Sequence, residues 1–420
     1  MNNAEQLFFT AVGISNIVTC KGKKIFTIFE IKRTIKFQTL MKAILAIDSF
    51  KGCLSSPEAE EAASSAFPSH EDTVMIPVSD GGEGFSAIMT ALLGGSTRTV
   101  LCQDPLGRPV EASYGLAHGG RTAIIETAAA SGLCLLREEE RNPLAASTFG
   151  TGQLIADALD EGAEEIWLGL GGSATCDGGT GLLQALGYRF MTPGGILPDG
   201  RTVMGNIIGI DSTHRHKQLS HCKITGFYDV SVPFYGAGGT ARMFAPQKGA
   251  GAAMVEALDA WMSQLCEVYS EFSGRDIRTV PGSGAAGGTG GAIRSCMGAS
   301  MTPGAFQLLD EAGMGPLLDT CTLVITGEGH ADLQTLRGKV PAGVLEYVRK
   351  YDSECGGSRH TQVALVAGQV SDRDALLRAG FDYVVEATPE GMPISLAMDP
   401  ATARENIKKA VGIIAHGLDR

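Results

Sequence analysis

The 420-residue chain has no Cys-x-x-Cys pair among its ten cysteines, and no apolar run nears the roughly 20 residues of a membrane span. The first absence counts against a zinc knuckle or a redox dithiol, the second against a spanning helix. Positive charge in excess is missing too. A formal net charge of −12 gives neither nucleic acid nor an anionic membrane a general attraction, although a small anionic substrate needs only local positive charge. No secretory signal pattern is present, so the scattered cysteines read as reduced thiols of a cytoplasmic protein, mostly packing as small apolar groups. Several catalytic signatures are absent: the Walker A pattern Gly-x-x-x-x-Gly-Lys-Ser/Thr, the protein-kinase set and the Gly-x-Ser-x-Gly elbow. A Gly-x-Gly-x-x-Gly after the first strand is missing as well, which weakens a nicotinamide-dependent dehydrogenase.

What the chain has in excess is glycine. Its 56 glycines are roughly twice the usual share, yet they form no collagen-like tract and cluster in short loops between apolar segments. With 44% hydrophobic residues there is material for the cores of two domains. Residues 1–40 stand apart. They carry six basic residues between Lys21 and Lys36 against Glu5 and Glu30, and Met41-Lys-Ala-Ile-Leu-Ala-Ile-Asp then reads like the opening of a protein. We expect 1–40 to be a disordered leader outside the fold.

From Met41 the rhythm is strand, loop, helix. Ala43–Ile47 is a strand ending at Asp48. Ser55 and Ser56 precede a proline and acids, the signature of a capped helix, which the pattern carries to about Phe67. Thr73–Val78 is a second strand before Asp80-Gly-Gly-Glu-Gly and a helix over 86–93. The rhythm changes to short strands with a hairpin near Gly119-Gly120. It returns with the strands Thr322–Thr326, Gln362–Ala367 and Tyr383–Glu386. The expected fold class is α/β: two α/β domains with mostly parallel sheets, one inserted in the other, and the active site in the cleft between them. A discontinuous Rossmann-like domain takes 41–102 plus 320–420, and the inserted domain takes 103–319.

Five loops join glycine to an acid after a strand: Asp48-Ser-Phe-Lys-Gly, Asp80-Gly-Gly-Glu-Gly, Gly172-Ser-Ala-Thr-Cys-Asp-Gly-Gly, Asp229-Val and Gly327-Glu-Gly-His-Ala-Asp. One such loop is only a turn. Five at successive strand ends point to a shared cleft with surplus carboxylates, which suits Mg2+ and phosphates held by backbone amides and lysines. Gly169–Gly179, between a buried strand and a helix, could cradle phosphate through its amides and the helix N-terminus. Pro281–Gly291 is the densest glycine loop, and Lys51, Lys248 and Lys339 are the lysines set among these loops. Phosphoryl transfer needs a phosphate cradle, a metal, a group that orients the acceptor hydroxyl, and positive charge, and all four have candidates here. Asp48 and Asp80 also suit turn caps, and a hydroxy-acid binding module without turnover stays open.

Together these motifs, with Pro105-Leu-Gly, Glu126-Thr-Ala-Ala-Ala-Ser-Gly-Leu, Thr148-Phe-Gly-Thr-Gly, Pro246-Gln-Lys-Gly-Ala, Gly284-Ala-Ala-Gly-Gly and Ile325-Thr-Gly-Glu-Gly, resemble the class II (bacterial) glycerate kinases over about residues 41–415. The resemblance implies ATP- and Mg2+-dependent phosphorylation of D-glycerate, usually at the 2-hydroxyl, in the breakdown of glyoxylate or of sugar acids. On that pattern Asp48, Lys51, Asp80 and Asp177 are the catalytic candidates. Gly171, Gly172, Ser173, Gly178, Gly179, Gly284, Gly287, Gly288 and Lys248 are the candidates for nucleotide binding. Asp177, Asp229 and Glu328 are the candidates for the metal. The chain departs from the family pattern at Cys53, at Cys176 and at Val232-Pro233, where the pattern usually has serine, asparagine and Asn-Pro.

Overall fold

Residues 43–47 of the strand Lys42–Ile47 are all buried, alternately in two cores. Ala43, Leu45 and Ile47 belong to one apolar core while Ile44 and Ala46 belong to another, as in a strand covered on both faces. The computed structural model describes residues 18–20, 23–25, 42–69, 72–79, 81–82, 84–199, 206–228, 231–355 and 359–418. The chain divides into the units Met1–Leu40 and Met41–Arg420. In the first unit Val18–Cys20 pairs antiparallel with Lys23–Ile25. The expected disorder of the leader otherwise falls outside the described residues.

In the second unit a five-stranded parallel sheet has the order Tyr383–Glu386, Gln362–Val370, Cys321–Ala331, Lys42–Ile47, Thr73–Met75. The helices Ser56–Ser64 and Pro400–Leu418 cover one face, through Ala59, Ala63, Ile407 and Val411. Val340–Glu354, Gly304–Glu311 and Met314–Leu318 cover the other, through Val344, Val348, Leu308 and Met314. A six-stranded sheet has the order Ser300–Pro303, Lys223–Tyr228, Glu165–Gly169, Thr122–Glu126, Pro109–Ala117, Ser96–Gln103. Its first four strands are parallel and its last two antiparallel. Strands from both chain ends thus share one sheet and those of the middle share the other, with Ser96–Gln103 on the middle segment's sheet. Phe85, from the helix Phe85–Leu92, packs on Phe227 at 5.2 Å between ring centres and shares a core with Ile44, Ile76 and Val324.

Five expectations change. The helix after Ser55 ends at Ser64 and the second strand at Met75. The strand expected to stop at Thr326 runs on to Ala331, because Glu328, His330 and Ala331 keep pairing with Ala367, Gln369 and Val370. The glycine loop at 281–291 gives way to a helix at Ala285, with Ala286, Gly287 and Gly288 in left-handed conformation inside its start. Only Ser55 caps its helix: its N–H and hydroxyl donate to Glu58 at 2.9 and 2.7 Å.

Candidate active site

Because neighbouring strands are parallel, their carboxyl ends gather on one edge, where ligands of such sheets bind. On the five-stranded sheet Asp48 follows Ile47, which pairs with Gly327, and the Asp48 N–H donates to the Gly327 carbonyl at 2.9 Å. Asp48, just past its strand, and Glu328, within the neighbouring strand, therefore lie side by side. Asp48 is buried and accepts the Ser49 N–H at 2.7 Å; Lys51, in the turn that follows, is exposed. Glu328 accepts the Thr335 hydroxyl at 2.6 Å and the Lys339 ammonium at 2.8 Å.

On the six-stranded sheet the two glycine loops meet. The Gly178 N–H donates to the Gly287 carbonyl at 3.0 Å. Gly287 has φ +68°, and a Cβ there would stand 2.0 Å from the Thr175 carbonyl oxygen, so no larger residue fits. Ala286 beside it has φ 50°, an uncommon conformation for a residue with a side chain, which the surrounding packing enforces. Lys248, a candidate for nucleotide binding that a surface turn would also explain, is buried. Its ammonium reaches the Thr175 carbonyl at 2.7 Å and the Ser173 hydroxyl at 3.0 Å. Burial pushes its pKa down, while Cys176 and Asp177 push it up.

Asp177 is wholly buried. It accepts the Thr148 N–H at 2.8 Å, the Thr148 hydroxyl at 2.7 Å, the Gly179 N–H at 3.1 Å and the Gly181 N–H at 3.2 Å. Burial pushes its carboxyl pKa up and these bonds pull it down. The side chain thus ties Gly179–Gly181 to the start of the helix Phe149–Asp160. Thr148, whose hydroxyl also accepts the Leu182 N–H at 2.9 Å, is a site-building residue that sequence reasoning quoted only within a motif. Other amides of the candidate cradle are engaged within the protein: Gly284 N–H with Val232, Gly288 N–H with Gly284, and Gly172 through its carbonyl with Leu133.

The two edges touch through Gly81 and Gly82, which follow the strand Thr73–Met75. The Gly171 N–H donates to the Gly81 carbonyl at 3.0 Å, and a Cβ on Gly171 would stand 2.2 Å from the Gly82 Cα. Close approach of two backbones is what requires glycine at 171. Glu126, at the end of the strand Thr122–Glu126, accepts the Gly84 N–H at 2.9 Å and so fixes the far side of the same loop. It is a second residue not singled out from sequence. Asp80 and Asp229 lie outside the described residues.

Among the described residues no cluster of three or more His, Cys, Asp or Glu side chains could hold a metal ion by itself. A carboxylate has about four lone-pair sites. Asp177 accepts three of its hydrogen bonds at Oδ2 and one at Oδ1, and Glu328 spends one oxygen on Thr335 and the other on Lys339. Mg2+ needs only one or two carboxylates when phosphates and waters complete its shell, so Glu328 fits such a role if Lys339 turns to the phosphates. No helix among the described residues is long and apolar enough to cross a membrane.

The glycerate kinase family model matches residues 43–418. Glycerate 2-kinase of Escherichia coli (strain K12) is 40% identical over 336 residues, 79% of this chain and 86% of that protein. Glycerate kinase of Bacillus subtilis (strain 168) is 38% identical over 366 residues, 86% of this chain and 94% of that protein. A crystal structure from Salmonella typhimurium LT2, provisionally named glycerate kinase 2, aligns with a TM-score of 0.72 and 36% identity, covering 90% of this chain and 98% of that one. With the match running through both sheets and every loop described above, the chain belongs to the glycerate kinase family.

Proposed function

We propose that the protein transfers the terminal phosphoryl group of ATP to D-glycerate, at the 2-hydroxyl, giving 2-phosphoglycerate. The observation that carries this is the kinship with proteins named glycerate 2-kinase and glycerate kinase over nearly the whole fold. The convergence of two glycine loops on one carboxyl edge, beside a second edge bearing Asp48 and Glu328, supports it. In this proposal the loops around Gly171–Gly179 and Gly284–Gly288, with Gly172, Ser173 and the buried Lys248 behind them, form the nucleotide side. Asp48 and Asp80 form the acceptor side, where one of them takes the proton of the attacking hydroxyl. Lys51, exposed in its turn, neutralises the glycerate carboxylate or the moving phosphoryl group. Mg2+ would arrive with the nucleotide and offset phosphate charge, with Asp229 and Glu328 as the candidate carboxylates for its shell; Asp177 serves that region as the brace its four hydrogen bonds describe.

The middle segment 103–319, with the strand Ser96–Gln103 joined to it, is proposed as a domain inserted into one built from 41–95 and 320–420, and the substrates are proposed to meet between the two carboxyl edges. A role in glyoxylate or sugar-acid breakdown in the cytoplasm fits the substrate and the nine free cysteines among the described residues. A coupled assay for ADP tests the proposal. Release that depends on D-glycerate is expected; saturable glycerate binding without release would instead mark a binding module.

A further inference from the structure

The helix Ser56–Ser64 turns a row of polar side chains into the protein. Ser56, Glu60 and Ser64 recur at every fourth position, so they share one face, and they are 3%, 0% and 1% exposed. Their partners lie on the strands Lys42–Ile47 and Thr73–Met75 and, for Ser56, just past the second of them. The Glu60 carboxyl accepts the Ile47 N–H at 3.2 Å, the Ser56 hydroxyl accepts the Val78 N–H at 3.0 Å, and the Ser64 and Thr73 hydroxyls bond at 2.7 Å.

The positions of these bonds follow from where the sheet stops. Lys42–Ile47 and Thr73–Met75 pair up to Leu45 and Met75, and the Ile76 N–H makes a last bond to the Leu45 carbonyl at 2.8 Å. Beyond that point the strands no longer serve each other. A buried amide must still find an acceptor. Glu60 supplies one for Ile47, directly before Asp48, and Ser56 supplies one for Val78, two residues before Asp80.

We propose that Ser56 and Glu60 are positioning residues that fix the backbone at Ile47, directly before Asp48, and at Val78, two positions before Asp80 in the sequence, and thereby the acceptor side of the active site. The inference rests on the assignment of those two acids to the acceptor side. Stability alone is a poor reason for the device. Burying a carboxyl completely, as at Glu60, is costly, and an apolar side chain of similar size would be buried without that cost. The Glu60 Oε2 atom has no hydrogen-bond partner. Burial pushes the Glu60 pKa up to about 9, so at neutral pH the group is a neutral carboxyl accepting through its other oxygen. Glutamine can do the same; leucine cannot.

The test is steady-state kinetics on the full chain for Glu60→Gln, Glu60→Leu, Ser56→Ala, Asp48→Asn, Asp80→Asn and the double variant Glu60→Leu/Asp48→Asn, each checked for folding by circular dichroism. Glu60→Leu and Ser56→Ala should lower kcat about tenfold and raise the KM for D-glycerate, because small misplacements of reacting groups are expensive. The KM for ATP should stay within about twofold, and Glu60→Gln should restore most of the loss. Glu60→Leu should add little in the Asp48→Asn background, since a positioning residue acts through the group it places. Folded Glu60→Leu or Ser56→Ala protein with wild-type kcat and KM would overturn the inference, as would full additivity with Asp48→Asn. Ser56→Ala removes a single oxygen and so decides the matter if Glu60→Leu does not fold. Wild-type turnover in both Asp48→Asn and Asp80→Asn would instead sink the acceptor-side assignment, a separate result read from separate variants.

Discussion

Asp177 and Glu60 are both buried carboxyls whose pKa burial raises, and they differ in how many donors they receive. Asp177 receives four donors, so its oxygens are answered; Glu60 receives one, and burial dominates. Asp177→Asn keeps the shape but turns an amide NH2 toward N–H and O–H donors, leaving buried groups unpaired. A loss of about 3 kcal/mol is expected, read as a lower urea midpoint. Glu60 makes the opposite prediction. Its pKa rises from 4.5 to about 9 in the folded protein, so the folded chain holds a proton that the unfolded chain releases across that window. The associated stability is complete below pH 4.5 and is lost as pH rises to about 9. Glutamine has no such proton. The thermal midpoint of Glu60→Gln should therefore gain on the wild type through this window and run parallel to it above about pH 9; a gap independent of pH would contradict the burial. For Asp177 the sequence left two roles open, a metal ligand or a cap for the helix behind it; for Glu60 it gave none. Asp177 stood among glycines and looked available to a metal, and Glu60 stood among the acids of a helix's first turns, with only its four-residue spacing from Ser56 and Ser64 to mark it.

Among the elements, the left-handed run Ala286–Gly288 shapes the proposed nucleotide side. It lets the chain enter the helix Ala285–Cys296 while its backbone lies against Thr175 and Gly178. Gly287→Ala would push a methyl to 2.0 Å from the Thr175 carbonyl at a φ that disfavours it. The expected cost is about 2–4 kcal/mol, with a raised KM for ATP in whatever folds. Gly238→Ala is the control: nothing lies within 4 Å of its Cβ position, and stability should stay within about 0.5 kcal/mol of the wild type. Thermal midpoints and ATP kinetics of the pair check both. Strands were legible from their apolar runs, as Thr122–Glu126, Tyr383–Glu386 and Lys42–Ile47 show. Glycine-rich ends were not. The same residue type opens a loop at Gly171, continues a strand at Gly327 and lies within a distorted helix start at Gly287, and the neighbouring chain decides which.

At the scale of the whole molecule, two sheets with parallel strands present their carboxyl edges, and Gly81–Gly82 carries the chain from one edge onto the other. The separation of rhythms along the chain foretold that its ends share one sheet and its middle another. Strand order and the contact between the edges were not foretold, because they depend on pairings up to hundreds of residues apart, such as that of Cys321–Ala331 with Lys42–Ile47. The family resemblance was carried by loop motifs, and those loops proved to be the ones that meet. The central claim is that these edges bring ATP to the 2-hydroxyl of D-glycerate. Phosphorus NMR of the product formed from D-glycerate and ATP tests it most directly. Accumulation of 2-phosphoglycerate in step with ADP is the predicted result; 3-phosphoglycerate, or no phosphorylated glycerate at all, would contradict it.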